Sequence, residues 1–301
     1  MQRRILCLGT LIAISVIAVA WASAKESQSV DKPIFSFGLV ADVQYGDMPD
    51  RPPSPARFYR SSLDRLRQCV AELNRHPLDF TVQLGDVING NATVEKSRED
   101  LDRIMLEFDR LNAKLYHVLG NHCLYAGGRE TIEKKLGLAR AYYDFTPEGV
   151  QGWRFIVLDG NDAGYGVLGK EQIKWLEATL AKAAQRDERV IVLNHYALLK
   201  ESAIRSRMKR PEPVRGILSR SGRVVAYFAG HEHAGGYAED RGIYHVTLHG
   251  MVEAPKNNAY AIVKVFDDRI VIQGFGDEPS RTLQLKTREK NEKDSCQTDA
   301  A

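Results

Sequence analysis

Apolar and polar positions follow two rhythms along this chain. Short apolar, β-branched runs stand at Ile34–Ala41, Phe80–Leu84, Leu115–Leu119, Trp153–Asp159, Arg189–Leu193 and Arg223–Ala229. Each is too short for a helix and ends in, or is followed by, Gly, Asn or Asp, so each predicts a buried strand. Between them, Phe58–Arg75, Thr93–Asn112 and Lys170–Ala184 carry apolar residues at helical spacing. In the first of these, Leu63, Leu66, Val70 and Leu73 share one face. Later the rhythm stays at a period of two, through Ile243–His249, Ala259–Phe266 and Arg269–Phe275. Alternating strands and helices followed by strands in succession predict an α/β fold with a β-rich C-terminal half.

The two ends break this pattern. Arg3 and Arg4 precede an apolar run, Ile5–Ala20, and Ala22-Ser23-Ala24 matches an A-x-A cleavage site. These features predict a signal peptide over residues 1–24 and an exported protein, periplasmic or secreted. An uncleaved anchor is the alternative, because the run approaches the length of a membrane span. After cleavage no stable membrane insertion is expected. From Asp277 to Ala301 the chain is charged and nearly free of aromatics, which predicts a disordered tail. The expected folded domain is therefore 33–276.

Composition adds exclusions. Loss of Arg3 and Arg4 takes the net charge from +3 to +1, and a near-neutral chain does not suggest a nucleic-acid partner. Cys69, Cys123 and Cys296 remain, an odd and widely spaced set that is no disulfide framework.

The candidate chemistry lies where predicted strands end. Asp42 and Gln44, Asp86, Asn121 and His122, His195, and His231 with His233 each follow an apolar run. Ligands of α/β sheets gather at the carboxyl ends of strands, so one pocket can collect them all. Any fragment alone reads as a turn, a cap or a satisfied buried histidine; their occurrence together and in order points to a site. Mixed carboxylate, amide and imidazole donors suit manganese, iron or zinc better than calcium. No cysteine stands at these positions, which argues against a structural zinc site. Two divalent ions need a bridging group, and Asp86, between Gly85 and Gly90, is the candidate.

Asp42-x-Gln44, Gly85-Asp86, Gly120-Asn121-His122, His195 and Gly230-His231-x-His233 resemble the calcineurin-like metallophosphoesterases. The resemblance covers roughly residues 34 to 276. Gln44, where most of that superfamily has histidine, is similar to the manganese-dependent ADP-ribose/CDP-alcohol diphosphatase branch. So are Phe228–Tyr237, His245–Leu248 and Glu253-Ala254-Pro255. The resemblance implies a four-layer α-β-β-α sandwich of the metallophosphoesterase type. It also implies two divalent ions, manganese first and iron or zinc as alternatives. Asp42, Gln44, Asp86 and His233 would hold one ion; Asp86, Asn121, His195 and His231 would hold the other. His122 would be catalytic without binding metal. The implied substrate is a small nucleotide, a nucleoside diphosphate-X compound cleaved at its diphosphate. A broad-range phosphodiesterase or phosphomonoesterase, and a binding protein with a vestigial site, are the alternatives.

Two positions depart from the family pattern: Cys123, where an acidic residue is usual, and Asn89, where a second Asp is frequent. Both remove negative charge beside the expected ions. Cys123 reads either as an oxidisable thiol or as a small buried filler. The basic stretch Lys200–Arg215 reads as a guide for anions or as a solvated loop. Tyr45, Tyr125 and Tyr237 flank motifs, either to stack a nucleobase or to pack loops. Asn91-Ala92-Thr93 forms a glycosylation sequon and is read as chance.

Overall fold

Pro33 begins a unit that runs to Ala301, distinct from Met1–Lys32. In the computed structural model the described residues are 31–51, 56–254 and 257–286. The expected signal peptide therefore lies outside them, as does most of the expected tail.

Two six-stranded sheets form the centre. In the first, β1 (Phe35–Val40), β2 (Phe80–Gln83) and β3 (Lys114–His117) are parallel. β10 (Ala259–Val265), β11 (Arg269–Gly276) and β12 (Arg281–Gln284) extend that sheet antiparallel beyond β1, in the order β12-β11-β10-β1-β2-β3. The second sheet runs in the order β4-β5-β6-β7-β9-β8. Its members are β4 (Tyr143–Phe145), β5 (Trp153–Val157), β6 (Arg189–Leu193), β7 (Val224–Ala229), β8 (Ala234–Asp240) and β9 (Ile243–His249). β5, β6, β7 and β9 are parallel, and the edge strands β4 and β8 are antiparallel.

Three apolar layers show how the sheets are covered. The inner faces meet through Phe37, Phe80, Phe155 and Phe228. Phe37 stacks on Phe80 at 4.9 Å and meets Phe155 edge-on at 5.4 Å. Helices α1 (Ser62–Leu73) and α2 (Val94–Phe108) lay Leu66, Val70, Leu101 and Ile104 over the first sheet. Helices α4 (Lys170–Gln185) and α5 (Pro211–Ser221) lay Leu176, Leu180, Val214 and Leu218 over the second. The fold is thus the expected four-layer α-β-β-α sandwich. A short helix, α3 (Arg129–Lys135), lies between β3 and β4. Among the described residues, no helix is long and apolar enough to cross a membrane.

The C-terminal boundary needs correction. β12 lies inside the segment expected to be a disordered tail, pairing Ile270 with Leu283. Leu283 and Leu285 are buried in the core between the sheets. Alternate leucines bury one face of a strand even where the flanking residues are charged.

Candidate metal centre

Local backbone geometry puts each candidate at a strand end and turns it inward. Asp42, Gln44, Asp86 and His231 all have positive φ, between 41° and 67°. They are four of the seven non-glycine residues in that region among those described. Left-handed backbone is costly for such side chains and persists where surroundings enforce it, commonly at functional sites. Here the enforcement is visible. Gln44 N donates to Asp86 O at 2.8 Å, and His231 N donates to Asp42 Oδ2 at 2.9 Å. A Cβ on Gly230 would meet Asp42 Oδ2 at 2.6 Å, and one on Gly120 would collide with Asp86 Oδ1. Only glycine lets these strands come so close.

Six of the seven expected ligands touch directly. Asp86 Oδ2 lies 3.2 Å from His195 Nε2 and 3.3 Å from Gln44 Nε2. His195 Nε2 lies 3.1 Å from His231 Nδ1. His233 Nε2 stands 3.3 Å from Asp42 Oδ1. Asn121 adjoins the group, with its Oδ1 3.2 Å from the Tyr196 hydroxyl. His122 N donates to Asp86 Oδ1 at 2.8 Å, and its ring donates Nδ1–H to Asn89 O at 2.5 Å, which leaves Nε2 uncommitted.

The outward nitrogens of the three candidate histidine ligands are all occupied. His195 donates Nδ1–H to Leu84 O at 2.9 Å. His231 gives Nε2–H to Ser206 Oγ at 2.6 Å. Glu253 Oε1 lies 3.1 Å from His233 Nδ1. Arg57 pairs with that same carboxylate, its Nη1 2.6 Å from the same ring nitrogen. Each outward nitrogen thus has a polar partner, so the inward nitrogens can present lone pairs to a metal once the rings are neutral, the arrangement typical of metal-ligating histidines. Asp42 Oδ1 is buried with no hydrogen-bond partner among the described residues, a cost in free energy that a cation would offset. The donor atoms of Asp86, His195 and His231 lie within 4.8 Å of one another. Buried carboxylates, amides and inward lone pairs fit divalent cations with mixed oxygen and nitrogen ligands.

Electrostatics agree. Burial opposes charge on His195, but Asp86 outweighs it and raises the pKa to about 9. Burial, followed by the neighbouring His195, lowers His231 to about 4. A proton occupies the centre where a metal ion would replace it.

A cavity of about 340 Å³ opens above the cluster, and its walls include Arg205, from the basic stretch read as a guide for anions or a solvated loop, and residues that the sequence reading gave no role: Arg57, Tyr59, Ser206 and Glu232. Of the cations in 200–215, Arg205 lines this cavity, whereas Arg215 is turned to Asp240. Glu232 was in view as the middle residue of the His231-x-His233 motif. Arg57 stands in a proline-rich loop without periodicity, so no local signal marks it. The remaining weak signals resolve simply. Cys123 is fully buried, and burial, then Asp86, pushes its thiol up to about 12, so it is a filler. Thr93 caps α2 and Asn91 donates to Asp100, local roles for the sequon. Tyr45 is buried, Tyr237 stacks on Tyr244, and Tyr125 stands half-exposed with its ring edge-on to His122 at 5.3 Å.

Comparison with known proteins gives a consistent picture. The calcineurin-like phosphoesterase profile matches residues 35–235. A manganese-dependent ADP-ribose/CDP-alcohol diphosphatase of Oryza sativa subsp. japonica is 31% identical, covering 85% of this chain and 94% of that protein. A protein of the same name from Arabidopsis thaliana is 29% identical over 81% of this chain and 94% of its own. Among solved structures, a dimetal phosphatase from Danio rerio superposes with a TM-score of 0.76 at 27% identity. It covers 85% of this chain and 100% of the fish protein.

Proposed function

The chain belongs to the calcineurin-like phosphoesterase family, and from that membership we propose that it hydrolyses the diphosphate of ADP-ribose, CDP-alcohols or related nucleoside diphosphate-X compounds. The observation that carries this reading is the buried cluster of carboxylates and imidazoles beneath an arginine-lined cavity, in a chain 31% identical to a protein named as a diphosphatase of that specificity.

Asp42, Gln44, Asp86 and His233 are suited to hold one divalent ion, and Asp86, Asn121, His195 and His231 the other, with Asp86 shared. Manganese is the first choice, since the relatives are named for dependence on it. When bound, such ions supply Lewis acidity, which activates water and offsets charge on the phosphoryl oxygens. The protein's own residues do the rest. Leu84, Ser206 and Glu253 orient the imidazoles, and the Leu84 carbonyl keeps the outward proton of His195 on Nδ1. His122 is fixed through Nδ1, so Nε2 is the atom that holds a proton for the leaving oxygen. Arg57 and Arg205 at the cavity wall bind and orient the anionic substrate. Gln44 offers a neutral amide oxygen in place of imidazole, a weaker donor that leaves its ion a stronger Lewis acid and more easily lost.

The products are a nucleoside monophosphate and a second phosphate ester. Export is part of the proposal, supported by the basic start, apolar run and Ala22-Ser23-Ala24 site of the sequence.

The test compares kcat/KM of the manganese-loaded protein for ADP-ribose, CDP-choline, an aryl phosphodiester and an aryl phosphomonoester. Diphosphates should be preferred, and Asp86→Ala and His122→Ala should each lower the rate by about 10²-fold or more. Preference for the monoester would overturn the substrate class.

A further inference from the structure

Glu232 sits between two candidate ligands, yet it faces neither ion position. It is 2% exposed, a costly place for a carboxylate unless it is fully paired. Among the described residues, its carboxylate accepts four hydrogen bonds, all from one dipeptide. Oε2 accepts from Arg205 N at 2.6 Å and Ser206 N at 3.1 Å; Oε1 accepts from Arg205 Nε at 2.9 Å and Nη2 at 2.7 Å. One buried carboxylate thus fixes both the loop backbone and the guanidinium plane. The Arg205 side chain is nonetheless 58% exposed and lines the cavity. Among the described residues, no partner is found for its Nη1. The pair is neutral as a whole; both residues border the cavity, and the guanidinium is the exposed member.

Arg57 stands on the wall of the same cavity, held by Glu253. Two guanidinium groups, each fastened by a carboxylate, therefore flank the cluster of histidines. Arg205 is near enough to add to the burial that depresses Arg57. Like charges are held close only where the fold enforces it, and an anion relieves the repulsion. A guanidinium locked by two bonds to Glu232 has already lost most of its rotamer freedom, so it binds with less entropic cost than a free arginine. Ser206, seated on His231 Nε2, ties this loop to the cluster and sets the distance between the two.

We propose that Arg205, positioned by Glu232, grips the phosphate that is not attacked, and so makes the site selective for diphosphates over esters of a single phosphate. The proposal rests on the diphosphatase reading and deepens it. The carboxylate and imidazole cluster with its ions serves the attacked phosphoryl group; a second phosphate carries its own charge and needs its own donor.

The experiment pairs binding with kinetics on manganese-loaded wild type, Arg205→Ala, Arg205→Lys and Glu232→Gln. Calorimetry measures the affinity for α,β-methylene-ADP, whose P–C–P bridge resists hydrolysis, and for AMP, which lacks the second phosphate. Arg205→Ala should weaken methylene-ADP about tenfold or more and AMP by less than about twofold. Its KM for ADP-ribose should rise by a similar factor with kcat nearly kept. Arg205→Lys should recover part of the loss, because it restores charge but not the fork. Glu232→Gln should fall between wild type and Arg205→Ala. Equal losses for methylene-ADP and AMP, or no loss for either, would overturn the proposal. A wild type that leaves ADP-ribose uncleaved sinks the diphosphatase reading instead, and the methylene-ADP and AMP pair then still decides the grip.

Discussion

Tyr196 shows how a candidate ligand is supported from behind. Its single hydroxyl proton is shared between Asn161 Oδ1 at 2.8 Å and Asn121 Oδ1 at 3.2 Å. Asn161 in turn donates Nδ2 to Leu119 O at 3.1 Å, so the chain of contacts ends on backbone. Tyr196→Phe should lower manganese affinity about tenfold, as loss of an outer hydrogen bond to a ligand does. Stability should fall by only about 1–3 kcal/mol for the polar groups left unpaired. Calorimetry and denaturant unfolding on the same preparation separate the two effects; unchanged metal affinity would free Asn121 of this support. At this scale the sequence was informative where a polar residue follows an apolar run: Asp42, Asp86, Asn121, His195 and His231 all stand there. It was silent on Tyr196, Arg57, Ser206 and Glu232, and it did not separate Arg205 from the other cations of its stretch. Their roles depend on what faces them across the fold, and no periodicity or spacing encodes that.

Strands and helices with strong periodicity were legible, and their ends less so. The helix expected over Phe58–Arg75 forms over Ser62–Leu73, and the one over Thr93–Asn112 over Val94–Phe108. The shorter pieces escaped notice. β8 reads Ala-Gly-Gly-Tyr-Ala-Glu-Asp, without apolar alternation, because it is an edge strand paired only to β9. α5 starts inside the basic stretch and runs beyond it, and charge overshadowed the helical spacing of Val214, Ile217 and Leu218. β12 hid in a charged segment, though Leu283 and Leu285 alternate there. Leu283→Ala should therefore cost about 2–5 kcal/mol, the usual range for a buried leucine. A shift in the urea midpoint measures it, and an unchanged midpoint would mean that β12 adds little to the core.

Across the whole molecule, buried histidines link stability to pH. An unfolded histidine titrates near 6.5. Burial lowers His117, His231 and His245 to about 4. Below pH 6.5 the unfolded chain binds protons that these residues refuse, so stability falls as pH drops toward 4. His195 is raised to about 9, so its contribution is complete below pH 6.5 and is lost as pH rises through 9. The metal-free protein should be most stable near pH 6.5, with Tm lower by several degrees on either arm. Bound metal displaces the His195 proton, so the alkaline arm should flatten when manganese is added; thermal melts with and without chelator compare the two. The same exchange of proton for metal underlies the central claim, that two divalent ions share Asp86. Calorimetric titration of the chelated protein with Mn²⁺ tests it most directly. The account predicts two ions per chain, the weaker at the Gln44 position, and loss of both from a folded Asp86→Ala variant. A single ion in the wild type, or two retained by Asp86→Ala, would contradict it.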